Sequence, residues 1–517
     1  MAPLQEGGKS EITHEASDAS PTATAEAKQT SSRHDQSEAR ERRVEQLLQE
    51  YGSTWDGPDD PSDPYNWPRR RKVLTGLIYS LAQLVTLMSA SMITAALNDI
   101  ARDLRVDPSS AQIVFSTYFL GLGFGPFVIA AFSEMHGRKW VWVLSNVWFI
   151  LWNAISPIGY SLSLMIVGRL MTGIGACAGV TLTGPVMADM YGKRDRGKAA
   201  AITALLPSLG PALGPIVGGL VTERVVWPWI FRIMSIATAV VTLIGTLYIK
   251  ESYTPTLLRR KTRGHGVELG AALHWSFWED FLSRFRLGVW RPIRLLLKRP
   301  VIQLIAFMLG LSFAIYTILL GSYATLFIDR YRQTPSIASL HYIAIAAAAT
   351  IAAQVGGRVM DWSYRRLSDR RNNGEGKPEY RAPYLISGVV ACPVGLILYG
   401  WAAEYTLPWP VVDLGAAIYS LGSIIVSQML YAYMLDEFVE HGASANAASR
   451  IFSYTLGFAF PIFAPDLYGK LGFGWGNNML SLLWVVFFFP LPAIIWFWGD
   501  RIRGWGRKDS EARIYGI

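Results

Sequence analysis

Charge is scarce in this chain. Only 17% of its 517 residues are Asp, Glu, Lys or Arg, well below the roughly 25% of soluble domains. Cysteine is scarcer still. Cys177 and Cys392 lie in separate apolar runs, so small packing residues are expected rather than a disulfide framework or a metal set. Histidine is sparse and unclustered: His14 and His34 fall in the polar N-terminal stretch, and His136, His265, His274 and His441 in loops between apolar runs. No Asp or Glu occupies the middle of a long apolar run. With no paired buried carboxylates, phosphate-binding loop or nucleophile–base set, catalysis is not expected. Neither a metal nor another cofactor is called for, and no residue ring suggests a channel.

Apolar length is what the chain has in abundance. Hydrophobic residues make up 51% and aromatics 13%, and the mean hydropathy is +0.25. A run of about 18 or more apolar residues can cross a hydrocarbon core of about 30 Å. Twelve such runs are expected at 73–97, 111–132, 140–159, 163–187, 199–220, 229–249, 301–326, 338–357, 383–402, 410–434, 448–467 and 478–498. This predicts an all-α membrane protein with twelve transmembrane helices, embedded in a lipid bilayer. The first 55 residues have no signal-peptide pattern and are polar enough to be disordered, with a short surface helix expected over 36–51.

The net charge of +9 could point to nucleic acid, but its placement excludes that partner. Basic residues gather at the ends of apolar runs, as cytoplasmic flanks do. One side holds 33 Lys and Arg. The loops of the other side hold six: Arg102, Arg105, Arg224, Arg330, Arg332 and Lys470. An even number of spans then puts both termini on the basic, cytoplasmic side. The longest interior polar stretch, 250–299, divides the spans six and six, and within it 279–298 has the basic amphipathic character of a surface segment.

Four groups of residues carry chemical information. Loops after spans 2 and 8 repeat one device: Glu134 with Gly137 and Arg138, and Asp361 with Arg365, each acid preceding a basic pair by four. An acid there could hold a helix terminus or base of the other half and close that face as a gate. Span 5 contains Gly210, Gly214 and Gly218 on one helical face, with Pro215 and Gly219 beside them. Small residues at this spacing admit a close neighbour, and the proline bends the helix. Arg169 lies in span 4, where a charge is costly and often functional, with snorkelling as the alternative. Asp189, Asp436 and Arg450 stand near span ends, the two acids in matching places after spans 4 and 10.

Together these features resemble the major facilitator superfamily, most closely its twelve-span drug:proton antiporters of the fungal multidrug and polyamine exporter type. The span 5 run matches the antiporter pattern GxxxGPxxGG, and Asp63-Pro64-Tyr65-Asn66-Trp67-Pro68, Arg196-Gly197-Lys198-Ala199 and Phe460-Pro461 fit the fungal branch. The resemblance covers roughly residues 58–505. Two departures stand out. The first loop has Ala130 and Glu134 where the family usually has Gly and Asp, and Trp227-Pro228-Trp229 replaces Trp-Arg-Trp, displacing Arg232.

The resemblance implies two six-helix bundles around a central cavity, alternating access and proton-coupled export of hydrophobic or amphipathic compounds. Facilitated nutrient uptake and polyamine export are the alternatives. Small molecule and protons would be the partners of a monomer. The expected location is the plasma membrane, a vacuolar or other internal membrane being the alternative. The implied domains are a tail over 1–57, a bundle over 58–249, a linker over 250–300, a bundle over 301–500 and a tail over 501–517. Spans 1, 4, 7 and 10 would line the cavity, with Gln83, Thr181, Tyr316, Tyr323, Gln428 and Tyr431 as candidates, because these side chains join a polar group to apolar surface. No carboxylate is identified as the proton carrier.

Overall fold

The structure is a computed structural model that describes residues 45–49, 54–57, 59–263, 275–371, 376–438 and 442–505. The expected N-terminal disorder falls mostly outside the described residues, as do most of the tail after residue 500 and the loop histidines His14, His34, His265, His274 and His441. The described residues form helices and no strands. A backbone in lipid must satisfy its polar groups in helices or in a closed barrel, and continuous apolar runs of this length do so as helices.

Ten helical stretches are long and apolar enough to cross a membrane. Their helices begin where the sequence supplies caps. Asp107 accepts from the Ser110 amide at 3.0 Å ahead of Pro108–His136, and Ser161 caps Leu162–Met190. Proline occupies the first turn of Pro228–Tyr248 and Pro300–Asp329, where its missing N–H costs nothing. The longest stretch, Ser444–Gly504, runs 61 residues and is in fact two passes. Phe307 and Phe313 of span 7 meet Phe452 and Tyr454, whereas Trp484 bonds Val389 and Arg503 returns to Glu437 at the starting end.

The reversal between those passes occurs at Gly472, whose φ of 71° is open to glycine and strained for other residues. The Glu404 carboxylate accepts from the Phe473 and Gly474 amides at 2.6 and 3.1 Å, satisfying donors that begin the twelfth span. The expected loop between spans 11 and 12 is therefore absent, because one glycine and one remote carboxylate make the turn. The helix Arg138–Ile155 supplies span 3, bringing the passes among the described residues to twelve.

Span 1 is interrupted. Its α-helix Arg69–Ser91 gives way to a 3-10 segment Met92–Ala96 before Leu97–Leu104. Span 5 joins Lys193–Ser208 to Gly210–Thr222, and span 8 joins Pro335–Leu340 to Tyr342–Arg371. The central linker contains helices Thr254–Arg263 and Trp275–Lys298. In the second of these, Leu295 is buried while Trp290 and Leu297 are exposed.

Candidate transport cavity and its two ends

A cavity of about 570 Å³ lies between the first six and last six spans, within the size range of small-molecule sites. Spans 1, 4, 5, 7, 8, 10 and 11 line it. Gln83, Tyr316 and Tyr431 line it, together with Thr183, Phe313 and Tyr454. Three expected lining residues do not. Tyr323 is fully buried and donates to Asp413 at 2.7 Å. Gln428 is outside the lining and donates to the Ala353 carbonyl at 3.1 Å. Thr181 lies outside the lining, its hydroxyl buried. The helical face was set by packing that only tertiary contacts reveal.

The cavity is sealed at the end away from the basic loops. Asn98, ending span 1, donates to Asp329, ending span 7, at 3.0 Å. The Tyr342 hydroxyl lies 3.4 Å from that of Thr94, and the Ser336 hydroxyl donates to the Gly219 carbonyl. A methyl at Gly219 would strike the Pro335 carbonyl and Ser339 of span 8. Each of these contacts joins one half to the other.

At the basic end the charges pair within a half. Arg138 starts span 3 and meets Asp189 at the end of span 4 at 3.5 Å. It also donates to Ser133 at 2.6 Å and stacks on Tyr253 at 4.3 Å. Glu251, after span 6, accepts from the Arg138 and Lys139 amides at 2.8 and 3.1 Å. Gly137 has a φ of 96° with Glu251 pressed against it, leaving no room for a side chain. In the second half Arg381 starts span 9 and binds Asp436, ending span 10, at 2.7 Å. It lies 3.6 Å from Asp361. Glu437 receives Arg299 at 2.9 Å and Arg503 at 3.2 Å.

This corrects the sequence pairing. The counterpart of Arg138 in the ion-pair arrangement is Arg381, not Arg365, which is exposed. Arg381 lies twenty positions beyond Asp361 and becomes its neighbour only when spans 8, 9 and 10 pack. Glu134 is exposed, and the pairs described here do not bridge the halves.

The span 5 glycines form a seam with span 1. A Cβ at Gly210 would stand 2.7 Å from that of Leu87, and at Gly214 and Gly218 it would strike the Met88 and Met92 carbonyls. Pro215 is buried in the same helix. The seam therefore meets span 1 where its α-helix becomes a 3-10 segment.

Arg169 braces that same break, so it neither snorkels nor reaches the cavity. It is fully buried and donates to the carbonyls of Ser89 at 3.0 Å and Ala90 at 3.1 Å, with a longer bond to Val114 at 3.4 Å. Its guanidinium lies 4.4 Å from the Tyr118 ring. The planar fork suits several carbonyls at once, and the carbonyls are available because the α-helical ladder is interrupted there.

Two features were not read from the sequence. His341 and Tyr323 share Asp413, at 2.8 and 2.7 Å, and His341 also meets Gln333 at 2.9 Å. This buried group ties span 7 to spans 8 and 10 beside the sealed end. The overlooked signal was that His341 falls inside an expected span, where a titratable side chain calls for a partner. The second feature is the position of Arg450, which lines the cavity.

Two six-span halves around a central cavity sealed at one end define a membrane transporter, not an enzyme. The sequence profile of the Major Facilitator Superfamily matches residues 79–461, and the chain belongs to that family. It is 36% identical to the probable efflux pump mfs2 of Aspergillus flavus over 428 residues, covering 81% of this chain and 100% of the relative. It is 33% identical to the efflux pump vrtL of Penicillium aethiopicum, covering 88% and 91%. Among solved structures, the partially occluded inward-open xylose transporter XylE of E. coli superposes with a TM-score of 0.57 at 15% identity, covering 82% of this chain and 99% of that one.

Proposed function

We propose that this chain exports hydrophobic or amphipathic small molecules by alternating access, in exchange for protons. The supporting observation is the cavity of about 570 Å³ between the halves. Aromatic side chains from the second half and hydroxyl side chains from both halves line it, while contacts at one end hold the halves together. The efflux-pump names of relatives at 33 and 36% identity support the direction. The positive-inside rule puts the basic end and both termini in the cytoplasm, so the state described here faces inward. The bundles 58–249 and 301–500 would rock about the cavity as a monomer in the plasma membrane, joined by the linker 250–300.

Within this scheme Glu134, Gly137, Arg138, Asp361, Asp189 and Asp436 organise the cytoplasmic gate, with Arg381 taking the part first given to Arg365. Gly210, Gly214, Gly218 and Gly219, with Pro215, couple span 5 to span 1 and to the outer seal. Polyamine export is disfavoured because the charged lining residue, Arg450, is itself a cation. The test is transport in proteoliposomes under an imposed pH gradient. Uphill movement of aromatic drugs should require the gradient. Uphill movement that survives its dissipation would overturn proton exchange, and accumulation of drug in expressing cells would reverse the direction.

A further inference from the structure

Arg450 stands apart from the other charged groups near the basic end. Asp189 is taken by Arg138, Asp436 by Arg381, and Glu437 by Arg299 and Arg503. Arg450 has no carboxylate partner among the described residues. Its Nε donates to Asn446 Oδ1 at 3.2 Å and one terminal nitrogen to the Tyr454 hydroxyl at 3.3 Å. A guanidinium has five N–H donors in a planar fork that fits a carboxylate with two parallel bonds. The two protein bonds therefore fix its plane and leave donors for a ligand.

It is the charged side chain of the lining, among Ser312, Ser420, Ser423, Ser427 and Ser453 hydroxyls and apolar surface. A cation held in such a setting is costly unless an anion meets it. Flat rings surround the spot. Tyr454 packs edge-on against Phe313 at 5.4 Å and face-to-face on Phe119 at 6.4 Å, and Phe313 also meets Tyr316. An aromatic body beside a single negative charge would satisfy both the rings and the guanidinium.

We propose that the cavity is an anion-selective site. Its preferred ligand is a planar aromatic acid whose carboxylate, sulfonate or phenolate docks on Arg450 while its rings lie among Phe313, Tyr316 and Tyr454. The proposal rests on the transporter reading above and names its substrate class.

The experiment is equilibrium binding to the full chain in nanodiscs, which depends on neither export direction nor proton coupling. Two fluorescent probes share one ring system: 1-anilinonaphthalene-8-sulfonate is anionic and N-phenyl-1-naphthylamine is neutral. Empty nanodiscs provide the background for each. The sulfonate should bind at least tenfold tighter than the neutral probe to the unaltered protein. Arg450→Gln should bring the two near parity by weakening the sulfonate alone, and Arg450→Lys should retain an intermediate preference because the charge persists without the fork. Benzoate should displace the sulfonate from the unaltered protein at concentrations where benzyl alcohol does not, a measurement that needs no variant to fold. Equal affinity of both probes for the unaltered protein, an unchanged ratio in Arg450→Gln, or equal displacement by benzyl alcohol would each overturn the proposal. Loss of the gradient-driven transport with this binding pattern intact would instead count against the export reading alone.

Discussion

Replacing Arg169 by Met separates a brace from a working charge. The side chain donates to the Ser89 and Ala90 carbonyls at 3.0 and 3.1 Å. Leaving a buried acceptor unmade costs about 1–3 kcal/mol, so two of them amount to roughly 2–6 kcal/mol. The Val114 bond, at 3.4 Å, adds little, because that carbonyl lies within the regular helix of span 2. Stacking on Tyr118 at 4.4 Å contributes up to about 2 kcal/mol when desolvated. Against these stands the gain from no longer burying a cation, about 3 kcal/mol on insertion scales. The net expectation is a destabilisation centred on about 2 kcal/mol and reaching at most about 5 kcal/mol, and hence a central fall in melting temperature of about 4–8 °C for a half of this size. Thermal unfolding of detergent-purified protein, followed by tryptophan fluorescence, measures it. Arg169→Lys should lie between, since one ammonium cannot serve both carbonyls and the ring together. Transport per folded molecule should change little in either variant. An unchanged melting temperature with transport abolished would refute the brace and return Arg169 to a direct role in moving substrate or protons.

Other outcomes follow from the same contacts. Gly218→Ala drives a methyl into the Met92 carbonyl and should cost about 1–3 kcal/mol, whereas Gly184→Ala meets nothing within 4 Å and should be neutral or stabilising by about 0.5–1 kcal/mol; melting temperatures of the two decide. Gly214→Val drives a branched side chain into the Met88 carbonyl and Ser91 and should abolish export per folded molecule, measured in proteoliposomes loaded with equal amounts of purified folded protein; retained export would reduce the span 5 seam to packing. Asp413→Ala leaves the Tyr323 hydroxyl and the His341 ring nitrogen without their shared partner, an expected loss of about 2–6 kcal/mol, most of it recovered in Asp413→Asn. Reversing the basic-end pair with Arg381→Asp and Asp436→Arg together should recover at least about 1 kcal/mol relative to the sum of the single changes, as a double-mutant cycle in melting temperature would show.

What the sequence by itself determined was whatever depends on the solvent and on local spacing. Apolar runs must become helices in a bilayer, so twelve passes and their six-and-six division were legible from composition alone. Glycines at every fourth position mark one helical face wherever the helix goes, so the seam of Gly210, Gly214 and Gly218 could be read before its partner was known. Only the tertiary structure decided which distant groups meet. Arg381 reaches Asp436, and Glu404 caps the twelfth span across about seventy residues of chain. Arg169 finds the broken end of span 1, while Arg450, equally conspicuous as a charge beside an apolar run, turns into the cavity. The physical reason is that a helix's sequence fixes its periodicity but not its rotation. Which face is presented to a neighbour, to lipid or to the cavity is settled by packing against the other spans, and for Tyr323, Gln428 and Thr181 that rotation moved an expected lining residue out of the lining.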